Sequence, residues 1–377
     1  MKRSFLFLAG PASPFFALLG EELLERGHRV LRINFNSGDK FFWDGEHTAD
    51  YKLPLEQFGN YIDTVAKLRK ITDLVIYDDS CEVHQAAIEA LKNHKIRIHA
   101  FDDGYFGENW VTLEERIFGN KTVLPKDPRF YLRAAEEDLP RVKRFVSGKR
   151  AKSFYKLQYH LSSLFGKAHG FKESDVNIMP IVSYIRAYLA GMKKAKLKTN
   201  YFLADLEMGK KASFLRSFAG NADENNNLVL FDEDFVSAEN RAKIMEIAEK
   251  YNVAERITIV ENANFANVVK GAKAYITNND MRALTAIAKG KPVMALAEAI
   301  YNIAGLTSQC TLNEFWKNIE APDAEIFRKF RNYVIFKTQI NGNFYNRKAM
   351  KLAIGNAVKK MIGKVMVAET SEIFDAS

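Results

Sequence analysis

Short runs of Phe, Leu, Val and Ile alternate along this chain with segments whose apolar residues recur at helical spacing, and the alternation happens twice. In the first pass Phe5–Ala9 reads as a strand and Phe15–Arg26 as a helix, with Phe15, Leu18, Leu19, Leu23 and Leu24 on one face. Arg29–Phe35, Asp73–Tyr77 and Ile96–Phe101 read as further strands, separated by helical patterns at Tyr61–Lys70 and Glu82–His94. In the second pass the strands are Asn200–Leu206, Asn227–Phe231, Arg256–Val260, Ala274–Thr277 and Pro292–Leu296. Helices Lys211–Phe218, Ala238–Tyr251, Phe265–Gly271 and Met281–Lys289 lie between them. Strand, helix, strand with short links predicts parallel sheets covered on both faces.

A chain of 377 residues is too long for one ordinary core and suits two domains. The expected division is a Rossmann-like N-terminal domain over 1–138, a basic helical segment over 139–199, a second Rossmann-like domain over 200–322 and a helical tail over 323–377. This is an α/β, GT-B-like layout, with two domains facing a cleft. A dehydrogenase is disfavoured because no G-x-G-x-x-G follows a strand. A periplasmic binding protein is disfavoured because the apolar stretch after Met1-Lys2-Arg3 is short and broken by Gly10-Pro11. Cys81 and Cys310 lie far apart and the seven histidines show no ligand spacing, so no disulfide scaffold or metal site is expected and a cytoplasmic setting is the default.

The net charge of +9 is concentrated in one place. Residues 141–200 hold fourteen Lys or Arg against two acids, which makes that segment +12 and the rest of the chain −3. Helical patterns at Leu139–Tyr159 and Val182–Lys196 interleave those charges with Phe145, Phe154, Tyr155, Tyr159, Tyr184 and Tyr188. Cations with aromatic anchors suit an anionic membrane surface, with Lys193, Lys194 and Lys196 as its contacts, or form only a solvated basic face. No nucleic-acid motif accompanies the charge, so nucleic acid is not the expected partner.

In doubly wound sheets ligands sit at the carboxyl ends of the strands. There the sequence offers Gly10, Pro11 and Ser13 after the first strand, a turn suited to an anion or only a tight turn. Asn34, Asn36 and Asp39 follow the second strand and can bind a sugar or hold a loop. Asp102-Asp103-Gly104-Tyr105 follows the fourth, where an acidic pair on a glycine turn is well placed for a catalytic carboxylate or makes only an ordinary turn. Asn278 and Asn279 stand at a strand–helix junction of the second half, able to cap a helix or face a ligand.

Blocks along most of the chain carry a family resemblance: FLAGPASPFF (7–16), GHRVLRINFNSGDKFFW (27–43), FDDGYFGENWVTLEERIFGNKTVLPKDPRFY (101–131), GKPVMALAEAIYNIAGLT (290–307) and TQINGNFY (338–345). In order and spacing they resemble the bacterial capsule polysaccharide biosynthesis proteins of the KpsS/LipB type. The resemblance implies a retaining glycosyltransferase that takes 3-deoxy-D-manno-octulosonic acid (Kdo) from CMP-Kdo. The implied acceptor is a lysophosphatidylglycerol lipid at the inner face of the cytoplasmic membrane, beside other capsule assembly proteins. It implies Asp103 as the nucleophile, with Asp102 beside it and Tyr105 at the substrate. Glu114 and His84 become the candidates for proton transfer. Where the family carries a phosphate-binding Lys-His-His-Pro, this sequence has Phe231-Asp232-Glu233-Asp234. Two further readings therefore stand beside the first: a catalytically silent relative that binds a partner or lipid, and a transferase for another nucleotide sugar, with a divalent ion on the acidic stretch.

Overall fold

The structure is a computed structural model that describes residues 2–117, 124–134, 139, 142–163, 197–205, 211–232, 238–261 and 263–363. The N-terminal half contributes strands β1 (Ser4–Phe7), β2 (Arg29–Asn34), β3 (Thr48–Asp50), β4 (Asp73–Tyr77), β5 (Arg97–Asp103) and β6 (Trp110–Ile117). Its helices are α1 (Phe15–Glu25), α2 (Ser37–Phe42), α3 (Phe58–Arg69), α4 (Glu82–Leu91), α5 (Pro128–Arg133) and α6 (Lys149–Ser163). The second half holds β7 (Tyr201–Asp205), β8 (Asn227–Asp232), β9 (Ile257–Glu261), β10 (Tyr275–Thr277) and β11 (Val293–Ala295). Between and after them come α7 (Lys211–Asn221), α8 (Ala238–Lys250), α9 (Phe265–Gly271), α10 (Ala283–Ala288) and α11 (Leu312–Phe315). The chain then runs through α12 (Ala324–Thr338), β12 (Gln339–Asn341) and α13 (Arg347–Ile362).

Among the described residues the strands form two sheets, ordered β12-β6-β5-β4-β1-β2-β3 and β11-β10-β7-β8-β9. Strands β1 to β5 pair in parallel, as do all five of the second sheet. Each parallel set winds outward in both directions from its first strand, so each has a switch point: between β1 and β4, and between β7 and β10. The expected α/β architecture of two doubly wound halves is present.

Burial on both faces explains why the strands read as continuous apolar runs. Side chains alternate across a strand, so Phe5 and Phe7 of β1 enter one core while Leu6 and Leu8 enter the other. The first core is covered by α1 and α13 through Leu19, Met350 and Ala353; the second by α3 and α4 through Phe58, Ile62 and Ala87. The second sheet repeats the scheme, with Leu203 and Tyr275 facing α9, α10 and α12, and Phe202 and Ile276 facing α7 and Trp316.

The C-terminal stretch departs from the expected helical tail. Helix α12 places Phe330 and Val334 in the core of the second half, where they meet Tyr131 of α5. The chain then returns to the first half: β12 pairs antiparallel with β6, Gln339 opposite Thr112 and Asn341 opposite Trp110. A three-residue, mostly polar strand has no alternation to announce it; pairing with β6 makes it a strand. The basic segment also differs. Helix α6 begins at Lys149 rather than Leu139, and residues 142–148 ahead of it are irregular and tied down by side chains: the amides of Lys143 and Phe145 donate to the Asn341 and Asn109 side chains at 2.8 Å each. The expected helix Val182–Lys196, with Lys193, Lys194 and Lys196, lies outside the described residues. Among the described residues no helix is long and apolar enough to cross a membrane.

Candidate active site

The carboxyl ends of β4 and β5 bring four carboxylates together: Asp78 and Asp79 in the turn after β4, Asp102 and Asp103 at the end of β5. Gly104 makes the β5 end possible, since a Cβ there would fall on the Trp110 carbonyl. Directly after it, Tyr105 and Phe106 pack against the core of the second half, so this strand end abuts the other sheet domain.

Asp103 keeps a side chain that is 48% exposed. The Lys152 ammonium of α6 sits 2.7 Å from its Oδ2, and the Tyr77 hydroxyl lies 3.5 Å from its Oδ1. Thr112 donates to its backbone carbonyl at 2.8 Å, which fixes the strand end without using the carboxylate. Asp102 has another environment. It is exposed at the same strand end, yet packing of protein around its inner side, then the charges of Asp103, Asp78 and Asp79, push its carboxyl up to about 7, against a hydrogen bond from the Asp103 amide that works the other way.

The proton-transfer candidates Glu114 and His84 are both buried and engaged within the protein. Glu114 is buried on β6, where it accepts from the Tyr105 hydroxyl at 3.0 Å and from Arg116 at 2.9 Å. Arg116 continues to Asp79 at 2.5 Å, so Tyr105, Glu114, Arg116 and Asp79 form one chain of charge-assisted bonds. Tyr105 is thus a member of that brace, and its own amide donates to Gln339 at 3.0 Å. His84 is buried, its Nδ1 2.8 Å from the Asp78 carbonyl, and burial lowers its pKa, which keeps it neutral. It holds the turn after β4 rather than opening toward a substrate.

Asn34, Asn36 and Asp39, read as able to bind a sugar or hold a loop, build an internal latch. Buried Arg32 donates to Asn34 at 3.1 Å and pairs with buried Asp39 at 3.0 Å. Asn36 caps α2 by accepting from the Asp39 amide at 2.8 Å, and its Nδ2 donates to the Tyr159 hydroxyl of α6 at 2.7 Å. A Cβ on Gly38 would strike the Tyr159 ring, so glycine there lets α6 lie close against α2. Ser13 is buried and accepts weakly from the Phe15 amide at 3.4 Å; Gly10 lies against the Phe16 ring, and Pro11 is buried beside it. All three shape the turn into α1 at the switch point between β1 and β4.

In the second half the switch point carries Asp205 at the end of β7, with Asn278 and Asn279 after β10. Asn279 is exposed and Asn278 half-buried; the Asn278 carbonyl accepts from Ala297 at 3.0 Å. Arg282 pairs with Asp280 at 2.7 Å and Asp205 at 3.2 Å, over the rings of Phe231 and Phe265. Burial raises the Asp205 carboxyl to about 6, with Arg282 opposing the rise. Sequence reasoning did not single out Lys152, Tyr77, Arg116, Arg282 or Asp205. The contacts that place them at the site join residues remote in sequence, Lys152 and Tyr77 with Asp103, Arg116 with Asp79 and Arg282 with Asp205, and only the strand-end position of Asp205 and Tyr77 was a usable signal.

Comparison with known proteins decides the family. The sequence model of the capsule polysaccharide biosynthesis protein family matches residues 72–199 and 205–345. The chain belongs to this family. It is 26% identical to the capsule polysaccharide export protein KpsS of Escherichia coli, over 91% of this chain and 97% of that protein. It is 24% identical to the capsule polysaccharide modification protein LipB of Neisseria meningitidis, over 91% of each. Among solved structures, the chain overlays on KpsC of Thermosulfurimonas dismutans, a β-Kdo 2,7 transferase, with a TM-score of 0.43 and 9% identity, covering 95% of this chain and 100% of that one.

Proposed function

We propose that this capsule biosynthesis protein is a retaining glycosyltransferase that moves Kdo from CMP-Kdo to a lysophosphatidylglycerol-type lipid. The observation that carries the reading is Asp103: a half-exposed carboxylate at the carboxyl end of a parallel strand, on a glycine turn, beside a second carboxyl with a pKa of about 7. In the first step an Asp103 oxygen bonds to the anomeric carbon, and the bond to the CMP phosphate breaks with its electron pair leaving on CMP. In the second the acceptor oxygen bonds to that carbon and the bond to Asp103 breaks. Two inversions retain configuration. The acceptor hydroxyl loses a proton in the second step, and Asp102, near half-ionised at neutral pH, is suited to take it.

Purified protein, CMP-Kdo and a short-chain lysophosphatidylglycerol should give a product heavier by one Kdo, and Asp103→Ala should abolish it. A second reading, a silent relative that organises assembly, draws on acidity: the resemblance sets Asp232 against a cationic stretch of the family, and Asp205 and Asp280 surround Arg282. No product and no CMP-induced rise in Tm would favour it. Turnover only with another nucleotide sugar, or only with a divalent ion, would favour the remaining alternative; among the described residues no group of three His, Cys, Asp or Glu side chains is arranged for a metal. An anionic inner-membrane surface fits the basic segment. Charge reversal at Lys193, Lys194 and Lys196 should weaken sedimentation with phosphatidylglycerol vesicles, and unchanged sedimentation refutes that part.

A further inference from the structure

Helix α6 is held by its inner face. Ala151 and Tyr155 pack on the first core, and Tyr159 is bonded into the Arg32–Asp39 latch. The seat therefore fixes where the rest of that face points, and it delivers Lys152 to Asp103. Stability does not account for the contact: a partly exposed ion pair of this kind contributes about 0–1 kcal/mol.

The chemistry of the proposed substrate gives it a purpose. A 2-keto sugar acid bears a carboxylate on the anomeric carbon itself, so a carboxylate nucleophile must approach a carbon that already carries a negative group. The donor's phosphate adds another. Asp78 and Asp102 lie nearby as well. Arg116 offsets Asp79 and Glu114, and with both terminal nitrogens engaged there it does not serve the sugar acid. Lys152 is already within hydrogen-bond distance of the nucleophile. Its ammonium also lies 5.4 Å from the Tyr345 ring, and a primary ammonium carries three donors, so binding Asp103 does not bar it from turning to a second carboxylate.

Resting on the transferase reading above, we propose that Lys152 is a specificity-determining residue that recognises the carboxylate on the anomeric carbon of the donor and shields it from Asp103. It selects 2-keto sugar acids over neutral sugars and has no role toward the nucleotide alone.

The test separates sugar from nucleotide. Asp103→Asn preserves the donor during calorimetry and serves as the parent. Adding Lys152→Met should weaken CMP-Kdo binding by about tenfold or more while CMP itself stays within about twofold. Lys152→Arg in the same parent should recover most of the loss, because the charge and donors remain. Equal losses for CMP and CMP-Kdo, or no loss for either, overturn the proposal while leaving the transferase reading in place. If the parent binds CMP but not CMP-Kdo, or neither, the Kdo reading fails and this proposal falls with it. A Tm unchanged between parent and double variant confirms that α6 remains seated.

Discussion

Asp102 and Asp103 are adjacent, yet Asp103 meets an ammonium and Asp102 a backbone N–H amid other carboxylates. The difference has a pH signature. Asp102 as the proton acceptor must be ionised, so transfer should fall as pH drops through about 7. Asp102→Asn should remove that limb and slow transfer by about 10²–10⁴-fold; a limb that survives the substitution rules Asp102 out as the base. The position of this pair was legible in sequence, because a glycine turn at a strand end exposes whatever precedes it. The fates of Glu114 and His84 were not. Residue type says that a side chain can titrate, but burial on β6 and beneath the turn after β4 decides what it does. Lys152 was visible only as one of many basic residues, since its partner lies 49 positions away.

At the level of elements, α6 is the piece whose seating matters most, and it hangs on Tyr159. Replacing Tyr159 by Ala removes the ring that fills the space over Gly38 and the hydroxyl that meets Asn36 and Asp39. It should release α6, raising amide exchange across 149–163 while β1 to β5 stay protected, and should lower transfer as strongly as Lys152→Met. Tyr159→Phe, losing only hydrogen bonds of about 1 kcal/mol, should be mild. Equal protection of α6 in the Ala variant would show that the latch is dispensable. The long apolar strands and the amphipathic helices were readable from their periods. Short or polar elements were not: β3, β12 and α2 are fixed by pairing and caps rather than by pattern.

For the molecule as a whole, the amino ends of the sheet hold a buried charge cluster opposite the site. Asp73 accepts from Arg3 Nε at 2.7 Å and pairs with His99 at 2.9 Å, and Arg3 also donates to the Met361 carbonyl of α13. Burial alone would raise the Asp73 carboxyl, but the bonds from His99 and Arg3 outweigh it and hold it well below the usual range. A depressed folded-state pKa contributes stability that is full above the unfolded value of about 3.9 and is lost as pH falls toward the folded one. Tm should therefore drop steeply below about pH 4, and Asp73→Asn should be less stable at neutral pH, by about 3–5 kcal/mol, with a shallower acid slope. An unchanged slope would assign acid unfolding to other groups. The two-domain plan was readable from the repeated alternation, but the return of 339–362 to the first half was not, since nothing local in a chain declares which sheet a late strand will join.

That return has a consequence for biogenesis. Thr112 waits for Gln339, 227 residues later in translation. At ~5–20 residues per second the newborn first sheet spends roughly 10–45 s with β6 as a bare edge. Helix α13, which roofs one of its faces, emerges later still. A ribosome-bound nascent chain should therefore lean on holding factors until its final stretch is made, and the second half, whose five strands are contiguous, can close first.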